Sequence, residues 1–402
     1  MDKEHQARMR RDTLLTHLGS HPRDNHGAVN PPVYHASTIT FPTVAAREAA
    51  RAKKFEGVTY GRSGTPTIFA LEEALAGIEG GYRAMLVSSG LAAITVAMLA
   101  FVSAGDHVLV ADTVYGPTRN LCDKVLKRFG VEVTYYDPLI GGGIAGLIRP
   151  NTKVVYCESP GSLTFEIQDI PAIAAAAHAR GVKVLHDNTW GTPYFFPSFE
   201  RGVDVSIHAA TKYIVGHSDA MLGAIVTNQE CFLPVRQSMA DLGYCAGPDD
   251  VYFGLRGLRT MAVRLKQHQE SALHIAAWLR DRPEVAEVLY PALPGAPGHE
   301  LWKRDFLGAC GLFSMVLKPA AKPGVDALLD GMRLFAMGAS WGGFESLILP
   351  SHPEDLRTAT RWAGAGPVLR LHIGLEDPQD LIEDLADGFD RMAAVNRAAA
   401  AE

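Results

Sequence analysis

Cysteine is scarce in this sequence, and its arrangement excludes two common kinds of site. Five cysteines occur among the 402 residues, at Cys122, Cys157, Cys231, Cys245 and Cys310, without a Cys-x-x-Cys pair. An odd, scattered set predicts free thiols in a reducing compartment, not a disulfide framework or a cysteine zinc site. The fifteen histidines contain no His-Glu-x-x-His spacing either, so a metalloprotease centre is not predicted.

Long apolar runs and an excess of basic residues are also absent. No apolar stretch reaches the roughly 18 residues that a membrane helix needs, and residues 1–5 lead into charged positions instead of the apolar part of a signal peptide. The 38 lysines and arginines are outnumbered by 44 acidic residues, for a net charge of −6. Because nucleic acids and anionic membranes attract basic surfaces, neither is expected as a partner. Together these absences predict a cytoplasmic globular protein.

The chain divides into three parts by its hydrophobic pattern. Residues 1–65 lack a regular rhythm and predict an arm that lies on another surface. In residues 66–254, short aliphatic strands such as 107–111 alternate with helical patterns, which predicts an α/β domain whose mostly parallel sheet is covered on both faces. Residues 255–402 begin with a long helical stretch and continue with mixed elements, which predicts a smaller C-terminal α+β domain.

Two predicted strands of the α/β domain each lead to a charged residue. The apolar run 182–186 leads to Asp187, and the strand that ends near residue 208 leads to Lys212. Side chains at the carboxyl ends of parallel strands meet at the ligand-binding edge of a sheet. There, a carboxylate can keep the ring nitrogen of pyridoxal phosphate protonated, and a lysine can form a Schiff base with its aldehyde. The pair therefore favours this cofactor, although a structural ion pair remains an alternative.

Two further segments have features of an anion site. Ser89 and Gly90 form a small turn between a strand and an apolar helix that begins near Leu91. Free backbone N–H groups at such a helix N-terminus suit a phosphate. The loop with Tyr60 and Arg62 combines a hydroxyl with a guanidinium, which can bind an anion in bidentate fashion. Plainer alternatives are a helix cap for the first segment and an ordinary turn for the second.

Two other patterns suggest different chemistry but do not support it. Residues 141–146 match the dinucleotide-binding pattern Gly-x-Gly-x-x-Gly. A dinucleotide site needs a long helix that begins there, yet Pro150 follows at once, so a loop is predicted. His217, Ser218 and Asp219 are adjacent, whereas the members of a catalytic triad converge from distant segments. Neither an NAD site nor a hydrolase triad is expected.

As a set, these segments resemble the Cys/Met-metabolism family of pyridoxal-phosphate enzymes over nearly the whole chain. The matching segments are Tyr60-Gly-Arg62, Ser89-Gly90, Tyr115-Gly116, Glu158-Ser159-Pro160, Asp187-Asn188-Thr189, residues 210–213 and residues 340–347. The resemblance implies the fold type I architecture of PLP-dependent transferases. It also implies a small amino-acid thioether as substrate, and a homotetramer built as a dimer of dimers with shared active sites.

The resemblance also implies roles for individual residues. Lys212 would be the Schiff-base lysine, Asp187 the partner of the ring nitrogen, and Tyr115 the residue that stacks on the ring. The phosphate and its surroundings would be bound by Ser89, Gly90, Leu91 and Thr211, with Tyr60 and Arg62 from a neighbouring subunit. The substrate would be bound by Ser340, Trp341, Arg370, Tyr60 and Tyr115. Of these residues, Tyr60 and Tyr115 join Lys212 as catalytic candidates.

Departures from the family pattern bear on the reaction. Pro117 stands where methionine γ-lyases have cysteine, and Ala339 and Trp341 stand where γ-lyases have an acid and usually leucine. These differences favour carbon–sulfur cleavage at Cβ, so that L-cystathionine would yield homocysteine, pyruvate and ammonia in methionine biosynthesis. Lyases of L-cysteine or S-alkylcysteines, γ-acting members and a non-catalytic binding protein remain alternatives. Ala209 replaces a serine that is common in the family, so one phosphate hydrogen bond must come from elsewhere.

Overall fold

The computed structural model describes residues 8–53 and 55–401. Its α-helices are α1 (Arg11–His17), α2 (Val44–Ala52), α3 (Pro66–Glu79), α4 (Gly90–Leu99), α5 (Gly116–Asn120), α6 (Ile170–His178), α7 (Thr192–Phe195), α8 (Gln229–Asp241), α9 (Pro248–Arg280), α10 (His299–Asp305), α11 (Lys322–Asp330) and α12 (Pro378–Ala401). Its strands are β1 (Arg83–Val87), β2 (His107–Ala111), β3 (Glu132–Tyr136), β4 (Thr152–Glu158), β5 (Lys183–Asp187), β6 (Val205–His208), β7 (Gly223–Thr227), β8 (Val285–Leu289), β9 (Leu312–Leu317), β10 (Leu347–Ser351) and β11 (Val368–His372).

The larger sheet has seven strands in the order β1-β7-β6-β5-β4-β2-β3. Five adjacent strands, β6, β5, β4, β2 and β3, are parallel to one another, whereas β7 runs antiparallel to both β6 and β1. Every residue of β2 and of β7 is buried, because the sheet is covered on both faces. The prediction of a mostly parallel, doubly covered sheet is therefore confirmed.

The smaller sheet is antiparallel and has the order β10-β11-β9-β8. The helix α9 precedes it and begins at Pro248, earlier than the helical pattern near residue 255 predicted. Pro248 occupies the first turn, and Asp249 and Asp250 follow it there, which is a favourable helix start. The expected domain boundary between residues 254 and 255 thus falls inside a helix.

The segment after Tyr115 departs from its predicted form. The spacing of Leu121, Val125 and Phe129 predicts a single helix over residues 119–129, but the chain forms the short helix α5, then a π-helical stretch, Leu121–Leu126, and a 3-10 turn, Lys127–Phe129. The segment begins early because Pro117 lies in its first turn. The wider π turn keeps Leu121 and Leu126 buried.

The loop predicted at residues 141–146 agrees with the structure. Residues 141–146 form a 3-10 turn and not a long helix, as the loop prediction required. Over residues 8–53 and 55–401, no helix is both long and apolar enough to cross a bilayer. In the same part of the chain, histidine, cysteine and acidic side chains form no cluster suited to a metal ion.

Candidate active site

Asp187 is the last residue of β5 and lies beside Glu158, its register partner on β4. Its carboxylate is buried, and Oδ1 accepts hydrogen bonds from the backbone N–H (3.0 Å) and the hydroxyl (2.5 Å) of Thr189. Burial raises the pKa of Asp187, and the two bonds from Thr189 oppose that change. A buried carboxylate with one side held in this way is well suited to a cationic partner.

Lys212 lies four residues beyond the end of β6, at the same edge of the sheet. Its Nζ atom donates a hydrogen bond to Ser340 Oγ and lies 5.2 Å from the ring centroid of Trp341. Burial, assisted by the charge of Arg370, lowers the pKa of Lys212 to about 8. Much more of this amine is therefore neutral near physiological pH than in an ordinary lysine, as a nucleophile or general base requires.

The loop that carries Ser340 and Trp341 lies directly against the backbone of Lys212. Gly342 has a φ of +89°, and a Cβ atom there would lie 3.0 Å from the Cα of Lys212, so only glycine fits without displacing the chain. The N–H of Gly342 donates to Nε2 of the buried His372 at 3.1 Å. The loop is thus held between Lys212 and β11.

Arg370 extends from β11 into the same space. Its Nη2 atom donates to the carbonyl oxygen of Ser340 at 3.1 Å, and burial lowers the pKa of Arg370. The alternation of residues 369–373 puts Arg370 opposite an apolar face, which by default predicts a solvated side chain. In the structure this side chain is partly enclosed. A guanidinium in such a site can bind a carboxylate in bidentate geometry.

Tyr115 stands at the opening of this site, with 47% of its surface exposed. Its N–H donates to Oε2 of Glu158 at 2.7 Å. Burial raises the pKa of Tyr115, and the charges of Glu158 and Asp187 raise it further. The charge of Arg370 lowers the pKa of Tyr115. The phenol is therefore close enough to both Asp187 and Arg370 to be influenced by their charges.

The N-terminus of α4 lies on the segment between β6 and Lys212. A Cβ atom at Gly90 would come within 2.6 Å of the Cβ of Ala209, so the helix start is in close contact with that segment. Ser89 caps the helix, because its side chain accepts from the N–H of Ala92 at 3.2 Å. The first N–H groups of a helix have no partner within it, and they can supply the phosphate hydrogen bond that Ala209 cannot.

Thr211 and Leu91 lie beside this helix start. The hydroxyl of Thr211 accepts from the N–H of Leu222 at 2.8 Å and donates to its carbonyl oxygen at 3.1 Å. Leu91, the second residue of α4, is 38% exposed. The assignment of Thr211 and Leu91 to the phosphate site stays a prediction.

Tyr60 and Arg62 make contacts of a different kind. Tyr60 is 48% exposed, and Nη1 of Arg62 donates to the carbonyl oxygen of Ala240 at the end of α8, at 2.9 Å. These contacts are within one chain. The expectation that the two residues reach a neighbouring subunit's cofactor stays a prediction.

Two groups near the strand ends serve the fold. Asp112 follows β2 and accepts from Nη2 of Arg119 at 2.6 Å and from the N–H groups of Thr358 (3.0 Å) and Thr360 (2.7 Å). Its carboxylate thereby fastens residues 358–360, from the C-terminal part of the chain, to the larger sheet. Ser218 donates to Glu345 at 2.6 Å and so joins the segment after Lys212 to the loop that contains Glu345.

Sequence reasoning gave no role to three residues that shape this site. Thr189 orients Asp187, His372 holds the loop at Gly342, and Glu79 of α3 binds side chains at the ends of β5 and β6. A signal existed for Glu79, because it lies four and eight residues after the buried Leu75 and Leu71. An acid in line with an apolar stripe indicates a buried partner.

Comparison with known protein families shows the family to which this chain belongs. The family described as Cys/Met metabolism PLP-dependent enzyme matches residues 12–390. The chain belongs to this family. Its cofactor is pyridoxal 5′-phosphate, and its substrates are amino acids.

Individual members of the family are similar over almost the full chain. Cystathionine beta-lyase MetC of Escherichia coli is 46% identical over 389 residues, which cover 95% of this chain and 98% of that protein. A Rhizobium johnstonii protein named only provisionally as a cystathionine beta-lyase is 54% identical over 390 residues, 96% of this chain and 97% of its own. The solved structure of metB from Corynebacterium glutamicum superposes with a TM-score of 0.87 at 31% identity and covers 96% of this chain and 99% of that one.

The residues of this family member fit the cofactor chemically. A lysine amine with a lowered pKa and a buried carboxylate lie at one edge of the sheet. The first N–H groups of α4 lie at this edge as well, with glycine where the chain approaches Ala209 closely. We infer that Lys212, Asp187 and the start of α4 would hold the aldehyde, ring-nitrogen and phosphate ends of the cofactor.

The lowered pKa of Lys212 predicts how cofactor uptake depends on pH. Only the neutral amine can attack the aldehyde, so we expect the rate at which apoprotein develops visible absorption to rise with pH and level off above about pH 8. Mixing apoprotein with pyridoxal phosphate over about pH 6 to pH 10 measures this rate. A rate that continued to rise to about pH 10, the ordinary range of lysine, would contradict the enclosed environment of Lys212.

Proposed function

We propose that this enzyme is a cystathionine β-lyase that converts L-cystathionine into homocysteine, pyruvate and ammonia. The observation that carries the proposal is the identity of 44% to 54% to proteins named as cystathionine β-lyases, over 95% to 96% of the chain. A cystathionine gamma-synthase of Mycobacterium bovis is less similar, at 38%. Both this difference and the residues Ala339 and Trp341 favour elimination at Cβ over the γ-acting alternatives.

Lys212 would move the proton that starts the reaction. When bound, the cofactor supplies an electron sink for the electron pair left at the substrate Cα. The amine of Lys212, with its pKa lowered to about 8, is a suitable base for the Cα proton. Its hydrogen bond to Ser340 Oγ orients the amine, and the aromatic ring of Trp341 shields it on one side.

Asp187 would position the cofactor, and Arg370 would position the substrate. The Asp187 carboxylate, oriented by Thr189, keeps a proton on the cofactor ring nitrogen. Arg370 stands next to Ser340 and can bind the substrate α-carboxylate. Because both groups come from regular strands, β5 and β11, they are held rigidly relative to Lys212.

Replacement of Arg370 by lysine tests the carboxylate site. A lysine keeps the charge but loses the bidentate geometry, so we expect KM for L-cystathionine to rise about 10- to 100-fold while kcat falls far less. Steady-state kinetics measure both constants. The matched control is Arg333→Lys, an exposed arginine of the same C-terminal region that pairs with Asp387; unchanged kinetics are expected there. An unchanged KM in Arg370→Lys would remove this residue from the substrate site.

The function itself is tested by the products. Purified, cofactor-loaded enzyme with L-cystathionine is expected to release pyruvate and homocysteine. Release of 2-oxobutyrate and cysteine would overturn the assignment to Cβ and leave the roles of Lys212 and Asp187 intact. Assays with L-cysteine and S-methylcysteine show how widely the enzyme accepts other thioethers and thiols.

One relative favours a second candidate activity. A Wolbachia pipientis protein named L-alanine/L-glutamate racemase is 41% identical over 400 residues, 96% of this chain and 99% of its own. Racemisation begins with the same removal of the Cα proton. It differs from elimination because a proton is then added back to the opposite face of Cα. Incubation with L-alanine, followed by chiral analysis for D-alanine, tests this candidate directly.

We further propose a cytoplasmic homotetramer, built from dimers that share active sites. The support is the exposure of Tyr60 and Arg62 near the end of the N-terminal arm, 1–65, although Arg62 also contacts Ala240 of its own chain. Within each subunit, the arm would be followed by the α/β domain, 66–254, and the C-terminal α+β domain, 255–402. Residues 1–7, 54 and 402 lie outside the described residues. Light scattering of the purified enzyme measures the assembly.

A further inference from the structure

A buried carboxylate behind the site makes an unusual number of contacts. Glu79, the last residue of α3, has no exposed side-chain surface. Its Oε1 atom accepts hydrogen bonds from Asn188 Nδ2 (2.9 Å), Ser198 Oγ (2.9 Å) and Ser206 Oγ (2.5 Å). Its Oε2 atom lies 2.9 Å from Nε2 of His208. The end of α3 thus binds four side chains, which belong to β6 and to the chain between β5 and β6.

These contacts favour the ionised form of the carboxyl group. Burial alone would raise the pKa of Glu79, but the charge of His208 and the hydrogen bonds from His208, Ser206 and Asn188 lower it. An anion in the interior is stable only when such donors compensate for lost hydration. Glu79 is therefore held as an anion by the residues that it joins.

The residues joined by Glu79 flank the hydrogen bonds that orient Asp187. Asn188 directly follows Asp187 at the end of β5, and His208 is the last residue of β6. Between the two strands, Thr189 Oγ1 accepts from the N–H of Ala209 at 2.9 Å and donates to Asp187 Oδ1 at 2.5 Å. Two hydrogen bonds of Thr189 thus connect Asp187 to the chain just after β6. Asn188 and His208, which flank these bonds in sequence, are both bound by Glu79.

The position of Glu79 makes a purely structural role a poor account. Leu71 and Leu75 of α3 are fully buried, and an apolar residue at position 79 would continue their stripe at no cost in desolvation. The polar cluster even leaves buried atoms, Asn188 Oδ1 and His208 Nδ1, without a partner among the described residues. Its contacts converge on the segments that lead to Asp187 and Lys212.

We propose that Glu79 is a positioning residue for the cofactor site. Its carboxylate holds the ends of β5 and β6 in the relative position that aims Asp187 at the cofactor ring nitrogen. The proposal rests on the role of Asp187 given above, and it adds a residue of α3 to the machinery that binds the cofactor. Glu79 acts through Asn188, His208 and Thr189, without touching substrate or cofactor itself.

The test compares Glu79→Gln with Glu73→Gln. Glu73 lies on the same helix but is exposed and pairs with His21 at 2.7 Å, so it controls for loss of an acid from α3. We expect Glu79→Gln to weaken cofactor binding to the apoprotein about 10-fold or more, because hydrogen bonds to a charged group are lost. We also expect it to shift the pH midpoint of the bound cofactor's visible absorption. Glu73→Gln should change neither quantity.

A second pair of variants separates hydrogen bonding from packing. The amide nitrogen of glutamine can take the place of Nε2 in histidine, so His208→Gln keeps a donor towards Glu79, whereas His208→Ala removes it. His208→Gln loses the charge of His208 but keeps a donor, so we expect it to bind the cofactor more tightly than His208→Ala, which should resemble Glu79→Gln. This pair carries the test if Glu79→Gln does not fold.

One result would overturn the proposal. If Glu79→Gln, or His208→Ala in its place, lowers the melting temperature but keeps the wild-type cofactor affinity and absorption midpoint, the cluster only stabilises the fold. None of these measurements uses turnover. A wild type that bound the cofactor but did not cleave cystathionine would therefore refute the proposed function while leaving the test of Glu79 intact.

Discussion

Lys212→Ala is expected to abolish turnover and yet give a folded protein. The variant loses both the group that attaches the cofactor and the base for the Cα proton, so kcat should fall at least about 10⁴-fold, the upper range for a single acid–base group. Pyridoxal phosphate should still bind non-covalently through Asp187 and the start of α4. Borohydride reduces the Schiff base and so attaches the cofactor permanently to the lysine. Mass spectrometry should then detect the added mass of the cofactor on the wild type and not on the variant.

The fold should tolerate this change because the amine is only partly enclosed. Its hydrogen bond is to the exposed Ser340, and its removal relieves repulsion from the charge of Arg370. The matched control is Lys322→Ala, whose side chain is 83% exposed and pairs with Asp326; full activity is expected. A Lys212→Ala enzyme that kept a tenth of wild-type turnover would exclude this lysine as the catalytic one.

Asp187→Asn is expected to have the second-largest effect. Asparagine keeps an oxygen that can accept from Thr189, but it lacks the charge that holds a proton on the ring nitrogen. Without that proton the cofactor is a much poorer electron sink, so we expect kcat to fall about 10²- to 10³-fold, as for loss of other electrostatic stabilisation. Steady-state kinetics with L-cystathionine measure the loss.

A cofactor analogue distinguishes this electrostatic role from simple misfolding. Pyridoxal phosphate methylated at the ring nitrogen carries a permanent positive charge, so it should restore part of the activity of Asp187→Asn. Asp123→Asn, a change at an acid that pairs with Lys127 on the surface, should behave as the wild type. Failure of the analogue to help an otherwise folded variant would mean that Asp187 acts in another way.

Local features of the fold could be predicted where the sequence has local signals. The spacing of Ile68, Leu71, Leu75 and Ile78 predicts a helix from about Thr67 to Gly80, and Gly80 is indeed the left-handed cap of α3. Asp187 and Lys212 could be assigned to one edge because parallel strands deliver their carboxyl ends to the same side. These inferences need only periodicity, turn residues and strand direction.

The remaining features depend on partners far away along the chain. Ser340 meets Lys212 across 128 residues, and Asp112 meets Thr360 across 248. No local pattern contains such distances, because they arise from the way the second sheet packs on the first. The family resemblance placed Ser340 and Arg370 near the cofactor, but the fastening of residues 358–360 by Asp112 and the contacts of Glu79 became visible only in the structure.

The direction of β7 has a consequence for protein engineering. Because β7 is antiparallel to β6, the chain from residue 209 to residue 222 leaves and re-enters the sheet at one edge, and Thr211 pairs with Leu222 across it. A parallel strand would have required a crossover to the opposite edge. Lys212 therefore lies in a connection, residues 209–222, that begins and ends at one edge of the sheet, so changes in the length of this connection would leave the strand order unaltered.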